Sequence, residues 1–335
     1  MTVPRNTIIS GDVRTALPTV PDASVDTIIT SPPYFQLRNY QAHGQIGLEP
    51  TVELWADQLA IVLDEAARVL KPTGSLWLNL GDAYSRHQKH GAPGKSLLLG
   101  PERVALELIR RGWIIRNKVI WAKTNPMPSS VKDRLSCTWE VVYFATRSPR
   151  YFFDLDMIRA PHRSKRPAVK APKAHAENRA EWAGPLAAGD QHGLDKLKAA
   201  GLAGHPLGKN PGDLWQVPTA NYRDAHHATF PTRLIERPLL ATCPERVCSK
   251  CGLPWQREPH RQIGALAVAG SLKPICDCKA SYRPGLVLDP FMGSGTIAVT
   301  AEEHGRDWLG IEINPEFARL AERRIQNARA GPRAA

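Results

Sequence analysis

The stretch Gly285–Glu312, GLVLDPFMGSGTIAVTAEEHGRDWLGIE, decides the fold. GLVLDP is a short apolar, β-branched run, which reads as a buried strand, and it opens into FMGSGT and then a helical pattern. Gly293 and Gly295 let the backbone pass close to a ligand, and the start of a helix offers free N–H groups. A glycine-rich turn alone is weak evidence, because many such turns only pack a helix against a strand. Here a second strand, DWLGIEI, carries Glu312, 17 residues after Gly295. A carboxylate at that place can accept from both hydroxyls of a ribose. The turn is not the G-x-G-x-x-G of a dinucleotide site and lacks the lysine of a P-loop, so a pyrophosphate ligand is disfavoured. A nucleoside without phosphates fits better, and S-adenosylmethionine is such a ligand.

A second punctuation mark stands near the other end of the chain. The run SVDTIIT reads as a buried strand that leaves through Thr30-Ser31-Pro32-Pro33-Tyr34. Proline fixes its own φ and pushes the preceding residue into an extended conformation, so Ser31 and Pro32 form a stiff set of acceptors beside an aromatic ring. Strand ends of this kind are where α/β sheets bind ligands.

With 335 residues, 42% of them hydrophobic, the chain can hold one large α/β domain or two smaller ones. No apolar run approaches the roughly 18 residues of a membrane span, and the start MTVPRN lacks the apolar core of a signal peptide, so a cytoplasmic protein is expected. The net charge of +12 favours a polyanionic partner. Between Arg159 and His175 there are six Lys/Arg and no acid, with prolines that forbid a long helix. This run is either a solvated loop or an arm that touches phosphates.

Strand-like and helical patterns alternate in the first half, which predicts a parallel sheet covered by helices. The segment from Glu53 to Leu70 reads as a helix with Leu54, Trp55, Leu59, Val62, Leu63, Ala66, Val69 and Leu70 on one face, stopped by Lys71-Pro72-Thr73-Gly74. SLWLNL, RNKVIWAK and TWEVVYFAT read as strands and VALELIRRG as a helix. From 155 to about 225 the periodicity fades into Ala, Pro, Gly, Lys and His, marking a separate module.

The joint occurrence of TSPPY, HHATFP (226–231) and DPFMGSGT, in that order, resembles the amino-methyltransferases of DNA in their permuted β-type arrangement. The resemblance covers roughly 1–154 and 226–330. It implies a Rossmann-like α/β methyltransferase fold that uses S-adenosylmethionine, with a mostly parallel seven-stranded sheet. It divides the chain into a catalytic half (1–154), a target-recognition region (155–225) and a cofactor-binding half (226–335). By resemblance, Asp289, Pro290, Phe291, Gly293, Ser294, Gly295 and Thr296 surround the cofactor, with Glu312 and Asn314 beyond them. Thr30 and Asp12 join them, Asp12 as the adenine-contacting acid, although without the family it is only turn chemistry. His226, Thr229 and Phe230 belong to a segment that closes over the methionine moiety.

The family gives TSPPY a mechanism. An exocyclic amino nitrogen is a poor nucleophile because its lone pair is delocalised into the base, so catalysis needs acceptors that draw on its hydrogens. Ser31 Oγ and the Pro32 carbonyl are such acceptors, Pro33 stiffens the loop, and Tyr34 is placed to stack on an extruded base. Serine at the first motif position points to N4 of cytosine; N6 of adenine stays open. A DNA-binding regulator that has lost catalysis, or a methyltransferase for RNA or protein amines, are further rivals. Candidate partners are double-stranded DNA, a cognate restriction endonuclease and a second copy of the chain. Arg163, Lys165, Arg166, Lys170 and Lys173 are the candidate DNA contacts.

Cys248-Ser-Lys-Cys251 and Cys276-Asp-Cys278 give C-x2-C, 24 intervening residues and C-x-C. This is close to zinc-ribbon spacing, with a second knuckle tighter than usual, in a segment (243–283) that interrupts the family pattern. A structural zinc is expected, with isolated buried thiols as the alternative. Cys137 and Cys243 are expected in the core.

Overall fold

The structure, a computed structural model, describes residues 2–161, 205–220, 230–263 and 266–330. The candidate DNA contacts Arg163, Lys165, Arg166, Lys170 and Lys173, and the cofactor candidates His226 and Thr229, lie outside the described residues. In chain order the strands are β1 Thr7–Ser10, β2 Val25–Thr30, β3 Leu70–Leu80, β4 Ile114–Lys123, β5 Trp139–Thr146 and β6 Leu214–Val217. Six short strands follow: β7 Val247–Cys248, β8 Gln256–Arg257, β9 Arg261–Ile263, β10 Leu266–Val268, β11 Leu272–Lys273 and β12 Tyr282–Arg283. The last two are β13 Leu286–Asp289 and β14 Asp307–Glu312. The helices are α1 Val13–Ala16, α2 Val52–Val69, α3 Gly100–Arg110, α4 Thr232–Thr242, α5 Thr296–Glu303 and α6 Pro315–Arg329.

Eight strands form one sheet in the order β1-β14-β13-β2-β3-β5-β4-β6. All neighbours are parallel except that β5 runs against both β3 and β4. The α/β methyltransferase architecture is therefore present, with one strand more than the seven expected. The addition is β6, inside the stretch that faded in the sequence. Trp215 and Val217 are buried and alternate with exposed Leu214 and Gln216, so four residues at a sheet edge suffice. Such a strand is too short to stand out among Pro, Gly and Lys.

The central strands are apolar on both faces because helices cover both. Ile28, Leu76, Leu78, Leu286, Leu288 and Ile311 join Trp55, Leu59 and Leu63 of α2 and Val104 and Leu108 of α3 in one core. Ile29, Trp77, Val287 and Trp308 join Leu234 and Leu239 of α4, Ile297 of α5 and Ile325 of α6 in the other.

Three local expectations are corrected. Leu54 is 48% exposed, on the solvent side of α2, and Leu70 already belongs to β3. Lys71–Gly74 do end the helix, but as the first residues of a strand. There Lys71 Nζ donates to Asp26 Oδ1 across 2.6 Å and Asp26 Oδ2 accepts from the Leu286 N–H at 2.9 Å. A buried ion pair thus ties three adjacent strands. Cys243 is buried as expected, whereas Cys137 is exposed.

The described residues fall into two compact units, one within Met1–Asp154, Gly212–Arg257 and Leu272–Ala335, the other within Leu155–Pro211 and Glu258–Ser271. In the smaller unit β9 and β10 form an antiparallel hairpin, and Ala160 bridges to Lys209. No helix among the described residues is long and apolar enough to cross a membrane.

Candidate active site

Because β1, β2, β3, β13 and β14 are parallel, the loops that follow them gather at one edge of the sheet. A cavity opens there, with about 830 Å³ of empty space when its part open to solvent is counted. Asp12, Ser31, Pro33, Phe230, Pro290, Phe291, Gly293, Ser294, Thr296 and Glu312 line it. Of the other candidates, Thr30, Pro32, Tyr34, Asp289, Gly295 and Asn314 are not in that lining. The sequence reading missed Tyr40, Gln45, Ile46, Met292 and Phe317, which are. Tyr40 and Phe317 meet edge to face at 6.1 Å, but a single aromatic, in a loop as Tyr40 is or near the start of a helix as Phe317 is, carries no signal before folding.

Glu312 is nearly buried. Its Oε2 accepts from the Gly293 N–H at 2.7 Å and its Oε1 from the Asn314 N–H at 2.8 Å, and burial raises its pKa against those bonds. One carboxylate thereby joins the end of β14 to the glycine turn after β13. Gly295 has φ +77°, a conformation that L side chains rarely adopt, and a Cβ there would stand 2.9 Å from Ala321 Cβ. Asn314 caps α6 by accepting from Glu316 N–H at 2.8 Å.

Asp289 is buried, and its Oδ1 accepts from Thr30 Oγ1 at 2.7 Å and from the Phe291 N–H at 3.1 Å. Burial pushes its pKa up to about 7 despite these bonds. Its ionisation is therefore harder in the fold than in the unfolded chain, and this group subtracts stability as pH rises from about 4 to about 7. Asp12 caps α1 by accepting from the Arg14 N–H at 2.9 Å and pairs with the Arg14 guanidinium, which lowers its pKa.

The proline loop is anchored from below. Trp55 Nε1 donates to the Pro33 carbonyl at 3.0 Å, and the Gln36 N–H donates to the Gly47 carbonyl at 2.7 Å. Ser31 Oγ lies 3.1 Å from the Tyr34 hydroxyl. That hydroxyl donates to Glu140 Oε2 at 2.7 Å, and Lys123 Nζ donates to Glu140 Oε1 at 2.6 Å. Asn79 Nδ2 stands 2.7 Å from Tyr34 Oη, 2.9 Å from Glu140 Oε2 and 3.3 Å from Ser31 Oγ. The Tyr34 ring packs against Gly81, where a Cβ would come within 2.6 Å of Cε2. Asn79, Lys123 and Glu140 were not singled out in the sequence. Asn79 and Glu140 are polar residues among apolar neighbours in β3 and β5, a weak signal, while Lys123 ends a strand that carries three other polar residues and had none.

The four cysteines of the insertion do meet. The sulfurs of Cys248, Cys251, Cys276 and Cys278 all lie within 4.8 Å of one another. Four thiolates about 2.3 Å from one zinc would stand roughly 3.8 Å apart, so the donor set fits a metal ion. Gly252, with φ +73°, turns the first knuckle, and its N–H donates to the Cys248 carbonyl at 2.9 Å. Backbone N–H groups of Cys251 and Lys250 bring the Cys248 thiol down to about 6, while hydrogen bonds to Cys251 and Cys276 push Cys278 up to about 12. Four sulfurs this close share a deprotonated state only around a cation.

An α/β sheet with a glycine turn, a buried carboxylate and a rigid proline loop at one edge is the arrangement expected of the methyltransferase class. The family model for N6/N4 DNA methylases matches residues 25–323, and the chain belongs to that family. It is a DNA methyltransferase. The Type II methyltransferase M.XycI of Xanthomonas campestris pv. cyanopsidis is 31% identical over 343 residues, covering 96% of this chain and 88% of that protein. M.Cfr9I of Citrobacter freundii, also a Type II methyltransferase, is 29% identical over 342 residues, covering 96% and 87%. The solved structure of the PvuII DNA methyltransferase, described as cytosine-N4-specific, superposes with a TM-score of 0.59 at 18% identity, covering all of this chain and 89% of that one. A structure from Thermus thermophilus, complexed with S-adenosyl-L-methionine, gives a TM-score of 0.51 at 21% identity, covering 98% and 96%.

Proposed function

We propose that the protein methylates the exocyclic N4 of a cytosine extruded from double-stranded DNA, using S-adenosylmethionine held in the cavity at the sheet edge. The observation that carries this reading is Ser31 in the lining of that cavity, at the head of the rigid proline loop. When bound, the cofactor supplies an electrophilic methyl group on a sulfonium. Ser31 and the Pro32 carbonyl accept hydrogens from the target amine and favour a pyramidal nitrogen with an available lone pair. Tyr34 presents its ring to the base. The residues do little covalent chemistry; positioning and stabilisation of developing charge supply the acceleration. Arg163, Lys165, Arg166, Lys170 and Lys173 are assigned to the phosphate backbone. The Type II designation of the relatives supports a restriction-modification setting. Mass spectrometry of nucleosides from DNA of cells expressing the protein tests the product. N4-methylcytosine is expected; N6-methyladenine would transfer the same machinery to adenine, and no modified base would overturn the reading.

Glu312 is assigned to the ribose hydroxyls, each carboxylate oxygen keeping a lone pair after its backbone bond. Glu312→Ala is expected to weaken S-adenosylmethionine binding by roughly 10- to 100-fold, the loss of hydrogen bonds to a charged group. Calorimetry showing unchanged affinity would remove the assignment.

The cysteine cluster is assigned a structural zinc. About one zinc per chain is expected in protein purified without chelators, and Cys251→Ser should lower both metal content and thermal midpoint. Metal-free protein of undiminished stability by elemental analysis and calorimetry would dispose of the site.

A further inference from the structure

The geometry points to Glu140 as the terminal proton acceptor of the catalytic loop, reached from the target amine through Ser31 and Tyr34, with Lys123 and Asn79 setting the direction of the relay. This inference rests on the methyltransferase reading above.

The hydrogen inventory leaves little freedom. An ionised carboxylate only accepts, so Asn79 must turn its amide nitrogen toward Glu140, and its buried Oδ1 is left without a partner in the protein. The two amide hydrogens go to the two nearest acceptors, Tyr34 Oη at 2.7 Å and Glu140 Oε2 at 2.9 Å. Tyr34 spends its own proton on Glu140 Oε2. Burial, followed by the charge of Glu140, holds the phenol well above its ordinary pKa, so it stays a donor. Ser31 then donates to the remaining lone pair of Tyr34 Oη, 3.1 Å away. Both lone pairs of Ser31 Oγ are thereby free for the substrate. Lys123 donates to the far oxygen of Glu140 and holds its charge in place; the two side chains are only 20% and 15% exposed.

The same chain disposes of a proton. As the nitrogen–methyl bond forms and the sulfur–methyl bond breaks, the sulfonium becomes a thioether and the amine nitrogen gains the positive charge. Its N–H bond then breaks toward Ser31 Oγ, the Ser31 proton passes to Tyr34 Oη, and the Tyr34 proton passes to Glu140 Oε2. The products are a neutral methylamino group and a protonated Glu140, which returns its proton to water after release. No other reactant is required.

The test is single-turnover methylation of a cognate duplex by the full-length protein and by Tyr34→Phe, Glu140→Gln and the double variant, across pH. Tyr34→Phe keeps the ring that faces the base and removes only the relay oxygen. Each single variant is expected to lose about 10²-fold in methyl-transfer rate, the usual scale of positioned proton transfer. The double variant should lose little more, since both break one chain. Affinities for S-adenosylmethionine and DNA should stay unchanged, and the acidic limb of the wild-type pH–rate profile should vanish in Glu140→Gln. Glu140→Asp should recover part of the rate. Tyr34→Phe at close to the wild-type rate would overturn the relay even if Glu140→Gln fails to fold, and so would additive losses with an unaltered pH profile. An inactive wild-type protein would overturn the methyltransferase reading itself, and the relay with it.

Discussion

Ser31→Ala is expected to lower the single-turnover methylation rate by about 10²- to 10³-fold, the usual consequence of removing one acceptor or donor that acts on charge developing in the transition state. The residue stands at the junction of the two parts of the site. It lines the cavity at the sheet edge, and its Oγ lies 3.1 Å from the Tyr34 hydroxyl. Alanine deletes the oxygen and leaves the backbone of the loop, which Trp55 holds through the Pro33 carbonyl. Cofactor affinity, read by calorimetry, should therefore hardly move. Rapid-quench measurement with labelled cofactor separates chemistry from product release, which steady-state turnover does not. A chemical step close to the wild-type rate would take Ser31 out of the active site and leave the Pro32 carbonyl as the only loop acceptor.

The second large effect concerns stability. Lys71→Ala should destabilise the protein by about 3–5 kcal/mol, because removing one member of a buried ion pair leaves the other charge without compensation. Asp26 is the member left behind, at the start of the strand that ends in the proline loop, and its other oxygen already holds the Leu286 N–H. Lys71 also donates to the Gly252 carbonyl at 3.2 Å, next to the first cysteine knuckle. Loss of the ammonium thus loosens β2, β13 and the knuckle together. Urea unfolding followed by tryptophan fluorescence reads the shift, and the double variant Lys71→Met/Asp26→Leu should regain much of it, since apolar partners of similar size often replace a buried pair without loss. A Lys71→Ala midpoint equal to that of the wild type would show that Asp26 is stabilised without its partner.

The parts legible in the sequence share one property: their signal lies within a few residues. GLVLDP followed by FMGSGT reads as strand, turn and helix because the glycine positions and the change of period are local, and the observed β13, turn and α5 follow it. TSPPY is legible because proline restricts its own backbone and that of its neighbour wherever the chain goes. The spacing of Cys248, Cys251, Cys276 and Cys278 is also read along the chain, and their sulfurs do converge. Less was legible where a residue's character depends on what covers it. Leu54 has the same side chain as Leu59, yet the first faces solvent and the second is fully buried, since one helical position decides which side meets the sheet. Cys137 failed as a core prediction for the same reason.

By itself, then, the sequence determined the alternation of strands and helices, the stiff acceptor loop, the glycine turn with its distant carboxylate and the cysteine spacing, all consequences of backbone restriction and local period. Only the tertiary structure decided that β6 would extend the sheet to eight strands, that Tyr40 and Phe317 would join Glu312 around one cavity, and that Asn79, Lys123 and Glu140 would stand behind Ser31 and Tyr34. Those last three residues are separated from one another by 17 to 61 positions along the chain. Their meeting is set by the register of β5 between β3 and β4, where Leu80 pairs with Val141 and Trp121 with Glu140. Register depends on burying apolar residues from three strands at once, so no single stretch of sequence contains it.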